Sequence, residues 1–437
     1  MIMAFRFIIV LLFIFIGARM GSLGIGLAGG AGVAVLALTG MKVDPTTGIP
    51  WDVIGIIMAV IMCIAAMQAA GGLDFLVMVT EKLLRKHPKR ITFLGPVVTF
   101  FMTVFCGTGH VAFSSLPVIA EVAKETGIRP SKPLSISAVA SQIGITASPI
   151  SAAMIAMAAF VEPMGVSYLQ LVATMIPTTF IGCMVGALVA NFQGKPLEED
   201  PVYQERKAAG LITMHGEGEY DIKPRAKASV AIFGTAILIV IVYALLISDS
   251  IKLIPGDYLP RNAAIMTIMM LAGTIILLMS RTSAAEVATQ STFRSGMSAS
   301  CCILGVAWLG NTFVNGYTDQ IKALGGGIIE QYPWLLAVVL FFASALLYSQ
   351  GATTAAMMPV AIAMNAGVGT MVASFAAVSG LFLLPTYPTT VAAVEMDDTG
   401  STRIGKYVFN HPFLLPGVVS IAVSVLLGFI VNFFLIH

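Results

Sequence analysis

Cys106-Gly-Thr-Gly-His-Val-Ala-Phe-Ser-Ser-Leu-Pro117 is a polar, glycine-broken interruption in very apolar sequence. It has an echo in the second half of the chain, Ser349-Gln-Gly-Ala-Thr-Thr-Ala-Ala-Met-Met-Pro359. Each copy follows a Phe-Phe pair, Phe100-Phe101 and Phe341-Phe342, and each runs glycine, seven residues, proline, from Gly109 to Pro117 and from Gly351 to Pro359. A break of this kind frees backbone groups that lipid cannot satisfy, so it persists only where it is buried in protein or lines a cavity. The two stretches therefore read as the tips of paired hairpins around a binding site.

Composition fixes the surroundings of that site. The chain has 437 residues, 57% of them hydrophobic and 11% charged, whereas a soluble domain carries about 25% charged residues. This is the balance of a polytopic membrane protein. The apolar start, Met1 to Gly17, leads through Arg19 into a second apolar span, so it reads as a first transmembrane helix and not as a cleaved signal. The five cysteines lie in apolar spans without metal-ligand spacing and read as small buried hydrophobes. No GxSxG, HExxH or P-loop is present, no cofactor or metal is implied, and no soluble basic domain exists to hold nucleic acid.

Spans of about 17–25 apolar residues fall near 4–18, 22–40, 52–70, a broken 134–160, and 168–192. After the polar stretch 193–227 they resume near 229–248, 262–280, 297–314, a broken 370–394, and 413–435. The expected fold is all-α. It has a first repeat over 1–192, a cytoplasmic linker over 193–227 and a second repeat over 228–437, each repeat with five crossings and one hairpin. Arms over 91–106 and 112–126 give at most about 24 Å of helix, short of the ~30 Å hydrocarbon core, which favours re-entrant arms. Because five is odd, the second repeat lies inverted. On this layout 19 of the 24 basic residues fall on one side, leaving Arg6, Lys42, Lys252, Arg261 and Lys322 on the other. The richer side is cytoplasmic, and both termini are periplasmic. Amphipathic segments precede each hairpin, Leu73 to Lys86 and Tyr317 to Gln331, and suit the membrane surface.

Paired broken segments in inverted halves are the sequence pointer to a secondary transporter's midplane site. Four interruptions supply its candidates: Thr108, Gly109 and His110; Ser148, Pro149 and Ser151; Gln350, Gly351, Thr353 and Thr354; and Thr386, Tyr387, Pro388, Thr389 and Thr390. Helix N-termini at such breaks present free N–H groups and about half a positive charge, which suits a carboxylate. Two opposed sets suit a dianion. No arginine or lysine falls inside the expected spans, so dipoles and hydroxyl donors are expected to supply the recognition. A single Ser or Thr in such a helix often only bonds the preceding turn's carbonyl, and Pro149 or Pro388 alone could be a kink. Four clusters at corresponding places carry the joint reading. Glu121 and the run Glu395 to Arg403 read as solvated, the latter as a loop or gate.

Six long stretches carry a resemblance: GARMGSLGIGLAGG (17–30), GGLDFLVMVTEKLLRKHPK (71–89), CGTGHVAFSSLPVIAEVAKETGIRP (106–130), ITASPISAA (145–153), TFRSGMSA (292–299) and LPTYPTTVAAVEMDDTGSTRIGKYVFNHPF (384–413). They resemble the anaerobic C4-dicarboxylate transporters of bacteria, the DcuA/DcuB family, over essentially the whole chain. The resemblance implies exchange of fumarate, succinate, malate or aspartate across the inner membrane, mainly by antiport. It also implies inverted repeats, re-entrant hairpins and a homodimer. The alternatives are a Na⁺- or H⁺-coupled symporter, or a scaffold or sensor-partner protein in which a regulatory partner would meet the cytoplasmic loop 395–411.

Overall fold

The computed structural model describes residues 2–20, 22–212, 222–247, 253–254, 258–406 and 409–435, and among these every regular element is a helix. Lys252, residues 213–221 of the linker and residues 407–408 of the loop lie outside the described residues. Eight described helices are long and apolar enough to cross a membrane, or nine if the bent pair Val368–Leu383 and Pro388–Glu395, meeting at 46°, is one span. Two further helices at the start of the chain, Ile2–Met20 and Ser22–Leu38, hold shorter apolar stretches, Ile2–Gly17 and Leu23–Leu38. The chain is a multi-pass, all-helical membrane protein.

Both expected breaks appear where the local chemistry demands them. Helix Ser131–Ala147 ends because Ser148, held extended ahead of Pro149, cannot continue it. Ser151 then caps Ala152–Val161, its hydroxyl accepting from the Met154 N–H at 3.1 Å. In the second half Val368–Ser374 passes into a 3₁₀ stretch, Phe375–Leu383, before Pro388–Glu395 starts on a proline at its first position. Small residues let the scaffold helices approach. A Cβ on Gly26 of Ser22–Leu38 would run into the Cys301 carbonyl of Ser291–Gln331, and membrane helices pack closely only where such side chains are missing.

Two pairs of consecutive helices stand at the places expected for the hairpins. Ile91–Cys106 and Ala112–Glu125 return the chain to its starting level: Arg85, just before the first arm, bonds Glu125 at the end of the second at 2.9 Å. The second pair is Leu335–Leu347 and Gln350–Ala363. One length expectation needs correction. With the 3₁₀ turn Pro88–Arg90 the first arm reaches 19 residues and is long enough to span. Shortness therefore distinguishes only the other three arms, of 14, 13 and 14 residues.

Several basic residues have specific partners. Arg6 donates to the Tyr317 hydroxyl at 2.7 Å and shares a pocket with Lys42, and Arg261 pairs with Glu162. On the richer side the charges form buried links, which corrects two expectations. Glu121 is buried and pairs with Lys124 at 2.9 Å, and Lys124 also reaches Asp398 at 3.0 Å. Glu395 and Arg403 at the ends of the run after the second broken segment are exposed, but its middle is packed: Asp397 is 2% exposed and accepts from Thr399 N at 3.0 Å, Ser401 Oγ at 2.8 Å and Thr402 N at 2.6 Å. The start of the linker docks against this knot. Asp200, buried, meets Arg129 at 2.6 Å and Arg403 at 3.1 Å. Burial pushes its carboxyl up, but Arg403, the Val202 N–H and the Arg129 charge outweigh it and hold the carboxyl below its ordinary value.

Candidate functional site

The first tip is built by three consecutive backbone solutions. Gly107 closes helix Ile91–Cys106 in the left-handed region, at φ 67°, which costs an L side chain about 1–2 kcal/mol. Thr108 is extended, and its hydroxyl accepts from the His110 N–H at 3.4 Å. A 3₁₀ turn, Gly109–Val111, then feeds Ala112–Glu125. The second tip repeats the scheme with different residues. Tyr348 sits at φ 51°, and Ser349 is extended and caps Gln350–Ala363 through the Ala352 N–H at 3.2 Å. A left-handed residue followed by a hydroxyl cap is thus common to both.

Between the tips lies a cavity of about 410 Å³, within the ~300–1,000 Å³ usual for small-molecule sites. Gly107, Thr108 and His110 line it from the first tip, Ile145, Ile150, Ala152 and Ala153 from the first broken segment, Tyr348, Ser349, Gln350 and Gly351 from the second tip, and Tyr387 from the second broken segment. Scaffold helices Trp51–Ala69 and Ser291–Gln331 close the opposite wall. Four rings bridge the elements in a ladder. His110 stacks on Phe113 at 5.6 Å and on Tyr387 at 6.4 Å, and Tyr387 stacks on Tyr348 at 6.5 Å. The Tyr348 and Thr386 hydroxyls share a hydrogen bond of 2.6 Å.

Of the sequence candidates, Thr108, His110, Gln350, Gly351 and Tyr387 face this cavity. The others stand behind it. Gly109 backs onto Ser141, whose carbonyl a Cβ would meet at 2.9 Å. The Ser148 hydroxyl donates to the Val104 carbonyl at 2.7 Å, Ser151 to Ile145 at 2.6 Å, and the Pro149 carbonyl accepts from Tyr168. Thr353 and Thr354 donate to Ser349 and Gln350 carbonyls at 2.7 Å, and Thr390 to Tyr387 at 2.7 Å. Thr389 accepts from Gln142 at 2.9 Å. Thr386 and Pro388 are exposed on the second broken segment.

Two residues escaped the sequence reading. Gln142, fully buried, joins three elements: its side-chain amide donates to Thr389, and its backbone carbonyl accepts from the Gln350 side-chain amide at 3.0 Å and the Ser379 hydroxyl at 3.3 Å. A single amide among the small hydroxyl residues of the run before Ser148 was its signal. Arg294, exposed and just ahead of the expected span 297–314, also lines the cavity. Its helix starts at Ser291, well before the apolar run at 297, because Gln68 caps it, accepting from Thr292 N at 3.2 Å and Thr292 Oγ1 at 2.6 Å.

Known proteins share both the sequence and the fold. The family model described as anaerobic C4-dicarboxylate membrane transporter matches residues 2–436. The C4-dicarboxylate transporter DcuA of Wolinella succinogenes is 57% identical over 98% of this chain and 99% of its own length, and that of Escherichia coli K12 is 53% identical over the same shares. The anaerobic C4-dicarboxylate transporter DcuB of an Escherichia coli strain is 36% identical over 98% of each chain. In fold the chain is similar to the crystal structure of the Alcanivorax borkumensis YdaH transporter, with a TM-score of 0.61 at 14% identity over 95% of this chain and 98% of that one. The chain therefore belongs to the DcuA/DcuB family of anaerobic C4-dicarboxylate membrane transporters.

Proposed function

We propose that this protein is a secondary transporter that exchanges C4-dicarboxylates, among them fumarate, succinate, malate and aspartate, across the bacterial inner membrane, mainly by antiport. The observation that carries the proposal is the cavity where both tips and both broken segments meet. Thr108 and Ser349 use a lone pair to cap the chain that follows them. Each hydroxyl proton is left to donate to a carboxylate. Gln350 and His110 add polar edges beside them, and the N-terminus of Gln350–Ala363 adds the positive end of its dipole. Thr108, His110, Gln350, Gly351 and Tyr387 contact substrate in this reading, while the remaining hydroxyls hold the breaks in shape.

The inverted arrangement of 1–192 and 228–437 about the 193–227 linker belongs to the same proposal, as do periplasmic termini and a homodimer. The excess of basic residues in one set of connections along the chain supports the sidedness. Exchange follows if the empty site, with its donors unmatched, is slow to reorient. The test is uptake of labelled succinate by proteoliposomes. Vesicles loaded with unlabelled succinate should take it up at least about tenfold faster than empty ones. Equal rates would rule out obligatory exchange.

A further inference from the structure

The first break is held from both halves of the chain, and its three central residues each face a different neighbour. The Ser148 hydroxyl ties the break to the Val104 carbonyl of the first arm. Ile150 lines the cavity and packs against the first tip, where a Cβ on Gly107 would meet the Ile150 carbonyl at 3.2 Å. Between them Pro149 offers its carbonyl to the buried Tyr168 hydroxyl. Tyr168 is the first residue of helix Tyr168–Asn191. Arg261, which opens helix Arg261–Ser280 in the second half, lies over the Tyr168 ring at 4.9 Å. The same guanidinium pairs with Glu162, just past the far end of Ala152–Val161. The segment that brings Ile150, Ala152 and Ala153 to the cavity is therefore clamped at both ends by one stack of ring and cation.

We infer that Tyr168 is a positioning residue for transport: its hydroxyl holds the Pro149 carbonyl so that Ile150 stays against Gly107, and this contact sets the shape of the cavity between the tips. A carbonyl in apolar surroundings must be paired, and a buried tyrosine hydroxyl needs a partner too. Without the hydroxyl the carbonyl turns to find another donor, and the peptide joining Pro149 to Ile150 turns with it. The residue that moves is then part of the cavity wall. Arg261 keeps the ring in place by its charge over the ring face. The inference rests on the exchange reading above and adds to it a residue that shapes the site without touching substrate.

The experiment measures labelled succinate exchange by loaded proteoliposomes carrying wild type, Tyr168→Phe or Thr178→Val. Thr178 is the control: it lies on the same helix, and its buried hydroxyl serves the Thr174 carbonyl one turn back at 2.7 Å. Tyr168→Phe should raise the succinate KM by about five- to tenfold, the scale of one buried hydrogen bond. The rise should exceed any fall in maximal rate per reconstituted protein. Thr178→Val should leave KM within about twofold, whatever either variant does to the thermal midpoint. An unchanged KM in Tyr168→Phe, or an equal rise in Thr178→Val, would make Tyr168 a merely structural residue and overturn the inference. If the phenylalanine variant fails to reconstitute, the double variant Arg261→Gln with Glu162→Gln decides. It frees the ring without leaving a lone charge, so KM should rise by about threefold, and an unchanged KM there overturns the inference as well. A wild type that exchanges no dicarboxylate would instead sink the exchange reading, and this is seen before any variant is compared.

Discussion

The two tips solve one problem with opposite materials. Each turns the chain back through a left-handed residue and an extended hydroxyl cap. The first uses Gly107, and the second forces Tyr348 into the same region. The first tip is pressed against its neighbours: a Cβ on Gly109 would meet the Ser141 carbonyl at 2.9 Å. The second is looser, since a Cβ on Gly351 meets only the Ala152 methyl at 3.3 Å and Ile303 at 3.4 Å. In return the second tip gains a ring, which extends the ladder from His110 through Tyr387. The same Gly-x₇-Pro spacing thus hides a rigid, close-packed tip and a tip held by aromatic stacking.

Substitutions at the paired glycines should break the comparison most visibly. Gly109→Ala must displace backbone, an overpacking of about 1–3 kcal/mol, whereas Gly351→Ala asks only the Ala152 methyl to give by a few tenths of an ångström and should cost less, about 0.5–1 kcal/mol. Thermal unfolding of the purified proteins, with exchange measured alongside, reads both. Equal losses would show that the tips are equally tight. Next in size is Tyr348. Replacement by Gly and by Ala removes the same ring, so the glycine variant should be the more stable by about 1 kcal/mol, the left-handed penalty alone. No difference would mean that position 348 has left that region.

The caps come third. Thr108→Ala and Ser349→Ala should each cost about 1 kcal/mol. Ser349 should cost more because it starts a 14-residue helix where Thr108 starts a 3₁₀ turn. Transport should fall in both, since both line the cavity. The smallest effect is expected at Thr354→Val. Its hydroxyl serves only the Gln350 carbonyl one turn back, so stability should shift by about 0.5 kcal/mol and exchange should stay within about twofold. A large transport loss there would show that the hydroxyl turns toward substrate.

Much of the architecture was legible in the chain because it rests on local chemistry. The break at Ser148-Pro149 is dictated by proline's effect on the residue before it, and both tips lie where Gly and polar residues interrupt apolar runs. The charged segments were misjudged for a physical reason. Glu121, Asp397 and Asp200 look solvated one at a time, and only their partners Lys124, Thr402 and Arg129 make burial tolerable. Those partners are remote in sequence or invisible as partners within it.

By itself the sequence determined the membrane class and the places where helices must stop, since hydropathy, proline and glycine act within a few residues. Only the tertiary structure decided which polar groups look into the cavity. A helix turns about 100° per residue, so Thr353 and Thr354 sit beside Gln350 in the chain yet bond their own backbone while Gln350 lines the wall. Gln142 at the junction of three elements and Arg294 on the facing wall owe their places to neighbours more than 100 residues away or to a helix that starts early. Such placements come from packing, which no local pattern encodes.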